Sequence, residues 1–122
     1  MPVAVRALRG ATTVDHDTAA EVDQRVVALL DAMFEQNAIS HDDLISVIFT
    51  ATDDIVSTFP AASARKLGLG DVPLLCAREL AVEDSTPRCI RVLMHLTTDR
   101  DRHDLHHVYQ EQARGLRDDL PN

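Results

Sequence analysis

Arginine rather than lysine supplies the cationic chemistry of this 122-residue chain: eleven of its 12 basic residues are Arg, and Lys66 is the single Lys. A guanidinium presents a planar fork of donors that matches a carboxylate two bonds at a time, whereas an ammonium is a point charge. GC-rich coding produces the same bias, so placement matters more than number. Arg9-Gly10-Ala11-Thr12-Thr13 joins an anion ligand to a glycine that lets a ligand approach the backbone, although a turn with a solvated Arg reads the same way. Cys76-Ala77-Arg78-Glu79 and Cys89-Ile90-Arg91-Val92 set cations, a carboxylate and thiols on two apolar stretches. Between Ile90 and Val92 an unpaired guanidinium is costly, so Arg91 either meets an anionic ligand or pairs with Glu79. His103, His106 and His107 stand among Asp99, Asp101 and Asp104, but the spacing fits no standard zinc pattern and reads as a polar, acidic loop. No metal site is expected.

These residues need elements to hold them. Val3 to Leu8 reads as a first strand that runs into a turn-prone segment at 9–13. Thr18 and Glu21 stand at capping-box spacing, and Val22, Val26, Leu29, Leu30, Met33 and Phe34 then recur on one face of a helix that reaches Asn37. Ile45 to Thr52, apolar on successive residues, reads as a central strand covered on both faces, with Ser46 and Thr50 small enough for burial. Pro60 opens a second helix over 60–67, and Gly68 suits the position past its end. Val72 to Leu80 and Cys89 to Thr97 are further strands with a polar loop at 83–87 between them, and a long-tipped hairpin is one way to join them. On the strand through residues 76–79, alternation puts Cys76 and Arg78 on one face and Glu79 on the other, so a shared use of Cys76 and Glu79 requires a twist or bulge. From Asp101 onward no period is clear. The elements predict a single domain over residues 1–122, of α+β class, with a mixed sheet and two main helices; the tail from about residue 113, which contains Gly115, is expected to be mobile.

The formal net charge of -8 argues against a nucleic-acid or anionic-membrane binder, which normally turns a basic face to phosphates. It leaves a small anionic ligand open, because screening over about 8 Å makes the local arginines decide. Cys76 and Cys89 show no CxxC spacing, so reduced thiols are expected. The first nine residues lack the apolar stretch of a signal peptide, and no run approaches the roughly 20 residues of a membrane span. A cytoplasmic location is the expectation. A chain this short has little room for an enclosed pocket, which makes a site shared between subunits a natural solution.

Taken in order, Arg9-Gly10-Ala11-Thr12-Thr13, Phe59-Pro60, Pro73-Leu74-Leu75-Cys76, Glu79, Cys89-Ile90-Arg91-Val92 and His107-Val108-Tyr109 form a set that resembles the Bacillus-type chorismate mutases from about residue 5 to residue 120. The joint occurrence is far more specific than any one motif. The resemblance implies a homotrimer described as a pseudo-α/β barrel, with active sites at subunit clefts and neither metal nor cofactor. It implies Arg9 and Tyr109 on the substrate carboxylates, Arg91 on the ether oxygen, Glu79 with the Cys76 backbone or thiol near the ring hydroxyl, and Leu75 among the substrate-binding residues. Phe59 and Arg65 match positions supplied by a neighbouring subunit, and Leu116-Arg117 matches a pair that closes the site. Ala62, Leu75, His106 and Asp118 depart from the family pattern and bear on peripheral electrostatics and the tail.

What the resemblance implies for mechanism is a [3,3] rearrangement of chorismate to prephenate, in phenylalanine and tyrosine biosynthesis, with Arg91, Glu79 and Arg9 as the catalytic set. Such a reaction asks for preorganised charge rather than a nucleophile or a general base. The alternative is a non-enzymatic trimer of the same architecture that binds a small carboxylate. A plain carboxylate binder, however, needs no glutamate facing its ligand.

Overall fold

The structure, a computed structural model, describes residues 3–117. In chain order the elements are β1 (Ala4–Thr13), α1 (Ala19–Asn37), β2 (Leu44–Ala51), α2 (Pro60–Lys66), β3 (Leu74–Arg78), β4 (Cys89–Thr98) and β5 (Val108–Tyr109). Short 3₁₀ turns occupy His41–Asp43, Arg102–Asp104 and Glu111–Arg117.

The helix α1 starts where capping predicts. Thr18 accepts the Glu21 N–H at 3.1 Å, but the Glu21 carboxylate turns to the backbone N–H groups of Asp15 and His16 rather than back to Thr18. Val22, Val26, Leu29, Leu30 and Met33 are fully buried. They pack on one face of a five-stranded sheet of order β3-β2-β4-β1-β5, against Leu8, Val47, Phe49, Ile90, Val92, Met94 and Leu96. Burying a side chain of this size is worth about 1.5–3 kcal/mol, so this single layer carries most of the stability. Pro60 stands in the first turn of α2, and Gly68, at φ +94°, lies past its end as read from the sequence.

Pairing is antiparallel between β1 and β4 and between β2 and β4, and parallel between β2 and β3 and between β1 and β5. The expected mixed α+β sheet is therefore present, with three differences of detail. First, residues 9–13 are not a turn: β1 continues to Thr13, paired with β4 along its whole length. Gly10 serves packing here, since a Cβ on it would lie 2.5 Å from the Met33 sulfur. Second, β3 and β4 do not form a hairpin, because β2 lies between them. Third, β2 is covered on one face only. Val47, Phe49 and Ala51 face the helices, while Ser46, Ile48 and Thr50 lie half-buried on an open face. Of the tail, residues 113–117 belong to the last 3₁₀ turn, and Asp118 lies outside the described residues.

Two carboxylates fasten α1 and the segment before it to the segment around α2. Asp17 accepts from the backbone of Val56 at 2.9 Å and the hydroxyl of Ser57 at 2.6 Å, and Asp23 accepts from the Ser63 hydroxyl at 2.8 Å. The Ser57 hydroxyl and the Val56 N–H hold Asp17 below its ordinary value of 3.8, and the Ser63 hydroxyl does the same for Asp23. A lowered carboxyl contributes stability above its unfolded value and loses it as pH falls through the folded one. We expect Asp17→Asn to lower the urea midpoint at about pH 6, and the gap to the parent to close by about pH 2. A gap that persists unchanged at low pH would show that the charge is not what Asp17 contributes.

Candidate active site

Strand alternation builds the site on the open face of the sheet. Register aligns Arg9 with Leu93, Leu93 with Ile48, and Ile48 with Leu75, which makes one row across four strands. The next row runs Ala11, Arg91, Thr50 and Ala77. Arg91 thus has small neighbours on both flanks, and the space they leave is a cleft of about 220 Å³ whose walls include Arg9, Glu79, Arg91, Tyr109 and Leu116. Tyr109 arrives from β5, paired opposite Ala11. Leu116 arrives from the C-terminal 3₁₀ turn, which Gln112 N–H ties to the Thr13 hydroxyl at 3.1 Å.

Glu79 follows directly on the end of β3, where its own N–H bonds the Ala51 carbonyl at 3.0 Å. It keeps the face of Leu75 and Ala77, so no bulge is needed to turn it toward Arg91. Its carboxylate accepts the Thr50 hydroxyl at 3.1 Å and stands 3.5 Å from Arg91 Nε. The ion pair considered from the sequence therefore exists, but it is loose. Arg91 Nε is buried and has no hydrogen-bond partner among the described residues, and the same is true of the Tyr109 hydroxyl. Two unsatisfied polar groups on one small cleft suit an oxygen-rich ligand. The sequence marks Thr50 only as a residue tolerant of burial. Its place beside Arg91 and Glu79 follows from long-range pairing, and alternation along 46–50 is the one available signal.

Other residues singled out in the sequence lie elsewhere in the chain. Cys76 packs against the core on the opposite face from Glu79, and Leu75 is 61% exposed, away from the cleft. Phe59, 70% exposed, lines a separate groove beside Cys76 and Arg78, and Arg65 is exposed on α2. Arg78 spends its guanidinium on the carbonyls of Thr52 and Ile55, at 2.7 and 3.1 Å. The side chain of Arg117 is outside what the structure describes. The histidine-rich loop has structural work: the His107 ring accepts the Arg9 backbone N–H at 2.9 Å, and the backbone of His106 is bonded to Asn37. Among the described residues no three His, Cys, Asp or Glu side chains converge as a metal site would require.

Comparison with known proteins places this geometry in a family. The model of "Chorismate mutase type I" matches residues 5–120. Over 117 residues the chain is 48% identical to the chorismate mutase AroH of Thermus thermophilus, covering 95% of this chain and 96% of that protein. The corresponding identity to AroH of Bacillus subtilis (strain 168) is 38%, covering 95% and 92%. A solved chorismate mutase from Clostridium thermocellum superposes with a TM-score of 0.87 at 45% identity, over 88% of this chain and 96% of that one.

Cys89 shares the face of Arg91 but is fully buried. Burial pushes its thiol up, against the pull of the Arg91 guanidinium, so it stays protonated and inert at neutral pH. Iodoacetamide labelling read by mass spectrometry should leave Cys89 unmodified at about pH 8 until urea unfolds the chain. Rapid native-state labelling would show an activated thiol instead.

Proposed function

The chain belongs to the type I chorismate mutase family, and from that premise we propose that the cleft of Arg9, Glu79, Arg91 and Tyr109 is where it works. The protein is an isomerase that converts chorismate to prephenate. The reaction is intramolecular: the ether carbon–oxygen bond breaks, a carbon–carbon bond forms, and no proton or group leaves the substrate. In the transition state bond breaking runs ahead, so negative charge gathers on the ether oxygen and positive charge on the ring. An environment that already holds the complementary charges lowers that barrier without reorganising.

Each role follows from what the groups can do. Arg9 and the Tyr109 hydroxyl take the two carboxylates and hold the substrate compact. Arg91 faces the ether oxygen, and Glu79 accepts the ring hydroxyl while meeting the ring's positive charge. Leu116 and Arg117 close the site. The observation that carries the assignment is the pair of unpartnered atoms, Arg91 Nε and Tyr109 OH, on one cleft with a carboxylate 3.5 Å from the guanidinium. Removing a single donor to a developing oxyanion costs about 100- to 1,000-fold in rate. A plain carboxylate binder, the alternative from the sequence, has no use for Glu79, and membership of an enzyme family replaces it.

We place Phe59, Arg65, Leu75 and Cys76 in the site of a neighbouring copy within a homotrimer. Three features support this. The cleft of about 220 Å³ is smaller than the roughly 300–1,000 Å³ of a typical ligand pocket, so it needs a further wall. The chain exposes large apolar side chains, Val5 and Leu75 on the open face and Val56 and Phe59 along the groove beside Cys76, at 60–77%, and apolar surface of this kind marks sites of association. The four residues themselves stand on the same chain but outside its cleft. Among the family departures, Ala62 and Leu75 fall on this shared side. Among the described residues no helix is long and apolar enough to cross a membrane. The cytoplasm, where thiols stay reduced, suits free Cys76 and Cys89.

Subunit mixing tests the shared site. Arg65→Ala and Arg91→Ala should each be nearly inactive toward chorismate. After one-to-one exchange, about one quarter of sites should carry both arginines and regain native turnover. No recovery, despite mass-spectrometric proof of mixed trimers, would place both residues in the same subunit's site or remove Arg65 from it.

A further inference from the structure

Tyr109 stands on the weakest element of the sheet. β5 is two residues long, pairs only with Gly10 and Ala11 at the sheet edge, and such a pairing has little stability of its own. Downstream it is held by Gln110 N–H on the Ala11 carbonyl at 2.9 Å. Upstream it is held by a buried amide. Asn37, 2% exposed, accepts the His106 N–H on Oδ1 at 2.6 Å and donates from Nδ2 to the His106 carbonyl at 2.9 Å. The remaining Nδ2 hydrogen goes to the Met33 carbonyl at 2.9 Å. The side chain thereby acts as a surrogate peptide that pairs with His106 as a strand would, and it is locked to the last turns of α1. The orientation of the amide is fixed, because reversing it would set its oxygen against two carbonyls.

We propose that Asn37 is a positioning residue for Tyr109: by clamping the His106 peptide to α1 it sets the position of the hydroxyl that faces the cleft. No other side chain meets the demand. An aspartate in its place would repel both carbonyls, a glutamine would overreach, and an alanine would leave a donor and an acceptor of His106 unpaired. The functional half of the proposal rests on the reading that Tyr109 holds a substrate carboxylate. Such a contact is made in ground state and transition state alike, so loosening it should raise KM and spare kcat.

The chain contains one Tyr and no Trp, so its intrinsic emission reports Tyr109 alone. In Asn37→Asp, acrylamide quenching of that emission should rise about threefold, and KM should rise about tenfold with kcat within about twofold of the parent. In a Tyr109→Phe background the same substitution should change KM by less than about twofold, because the group being positioned is gone. Unchanged quenching, or full multiplication of the two KM effects, would overturn the proposal. If quenching rises while Tyr109→Phe leaves KM unaltered, Asn37 positions Tyr109 and the substrate role of Tyr109 is what fails. Should Asn37→Asp not fold, hydrogen exchange on the parent protein decides: the His106 amide should be protected within about tenfold of the last turns of α1. Exchange at loop rates would break the clamp.

Discussion

A guanidinium that the fold half-buries without fully satisfying it is the constraint around which this protein is arranged. Arg91 is set by register between Ala11 and Thr50, with Glu79 3.5 Å away and, among the described residues, no hydrogen-bond partner for Nε. Leaving a buried donor unmade costs about 1–3 kcal/mol. A stability-optimised sheet would place an apolar residue there or close the ion pair. In the function proposed for the cleft, the loose pair holds charge ready for an oxygen that becomes negative only during reaction, and the cost is met by the core on the opposite face of the same strand, through Ile90, Val92 and Met94.

That division of labour between faces explains the rest of the architecture. One face of the sheet is closed by α1 and α2, and the other, which holds the cleft, has no helix over it among the described residues. Both consequences follow from small size: a chain of 122 residues has elements enough for one covering layer. Stability is therefore concentrated in α1 and the strands beneath it, and the site inherits its rigidity from them. Tyr109 obtains it through Asn37 and the tail through Thr13, while Glu79 obtains it through the backbone of Ala51.

Much of this is legible in the sequence, and the misses share a cause. The helix from Thr18 to Asn37, the strands around 45–52 and 89–97, and the Pro60 helix all declare themselves by local period and caps. Arg9–Thr13 misleads because a glycine in a strand looks like a turn unless the helix pressing on it is known. The hairpin between β3 and β4 fails because insertion of β2 between them is a long-range event with no local signature. β5 is too short to have a period. In the site, alternation alone separates Cys76 from Glu79, and the family resemblance brings Arg9, Glu79, Arg91 and Tyr109 to notice. Thr50 and Asn37 escape notice because their partners lie 29 and 69 residues away.

The central claim is that the charge of Arg91, beyond its shape or its donors, stabilises the transition state. Replacing Arg91 with citrulline keeps the shape and the hydrogen-bonding N–H groups and deletes the charge. Turnover of chorismate should fall by at least about 100-fold while the substrate Kd stays within about threefold. Near-native turnover, or a loss of binding as large as the loss of rate, would show Arg91 to be a binding residue or a structural partner of Glu79, and would contradict the electrostatic account.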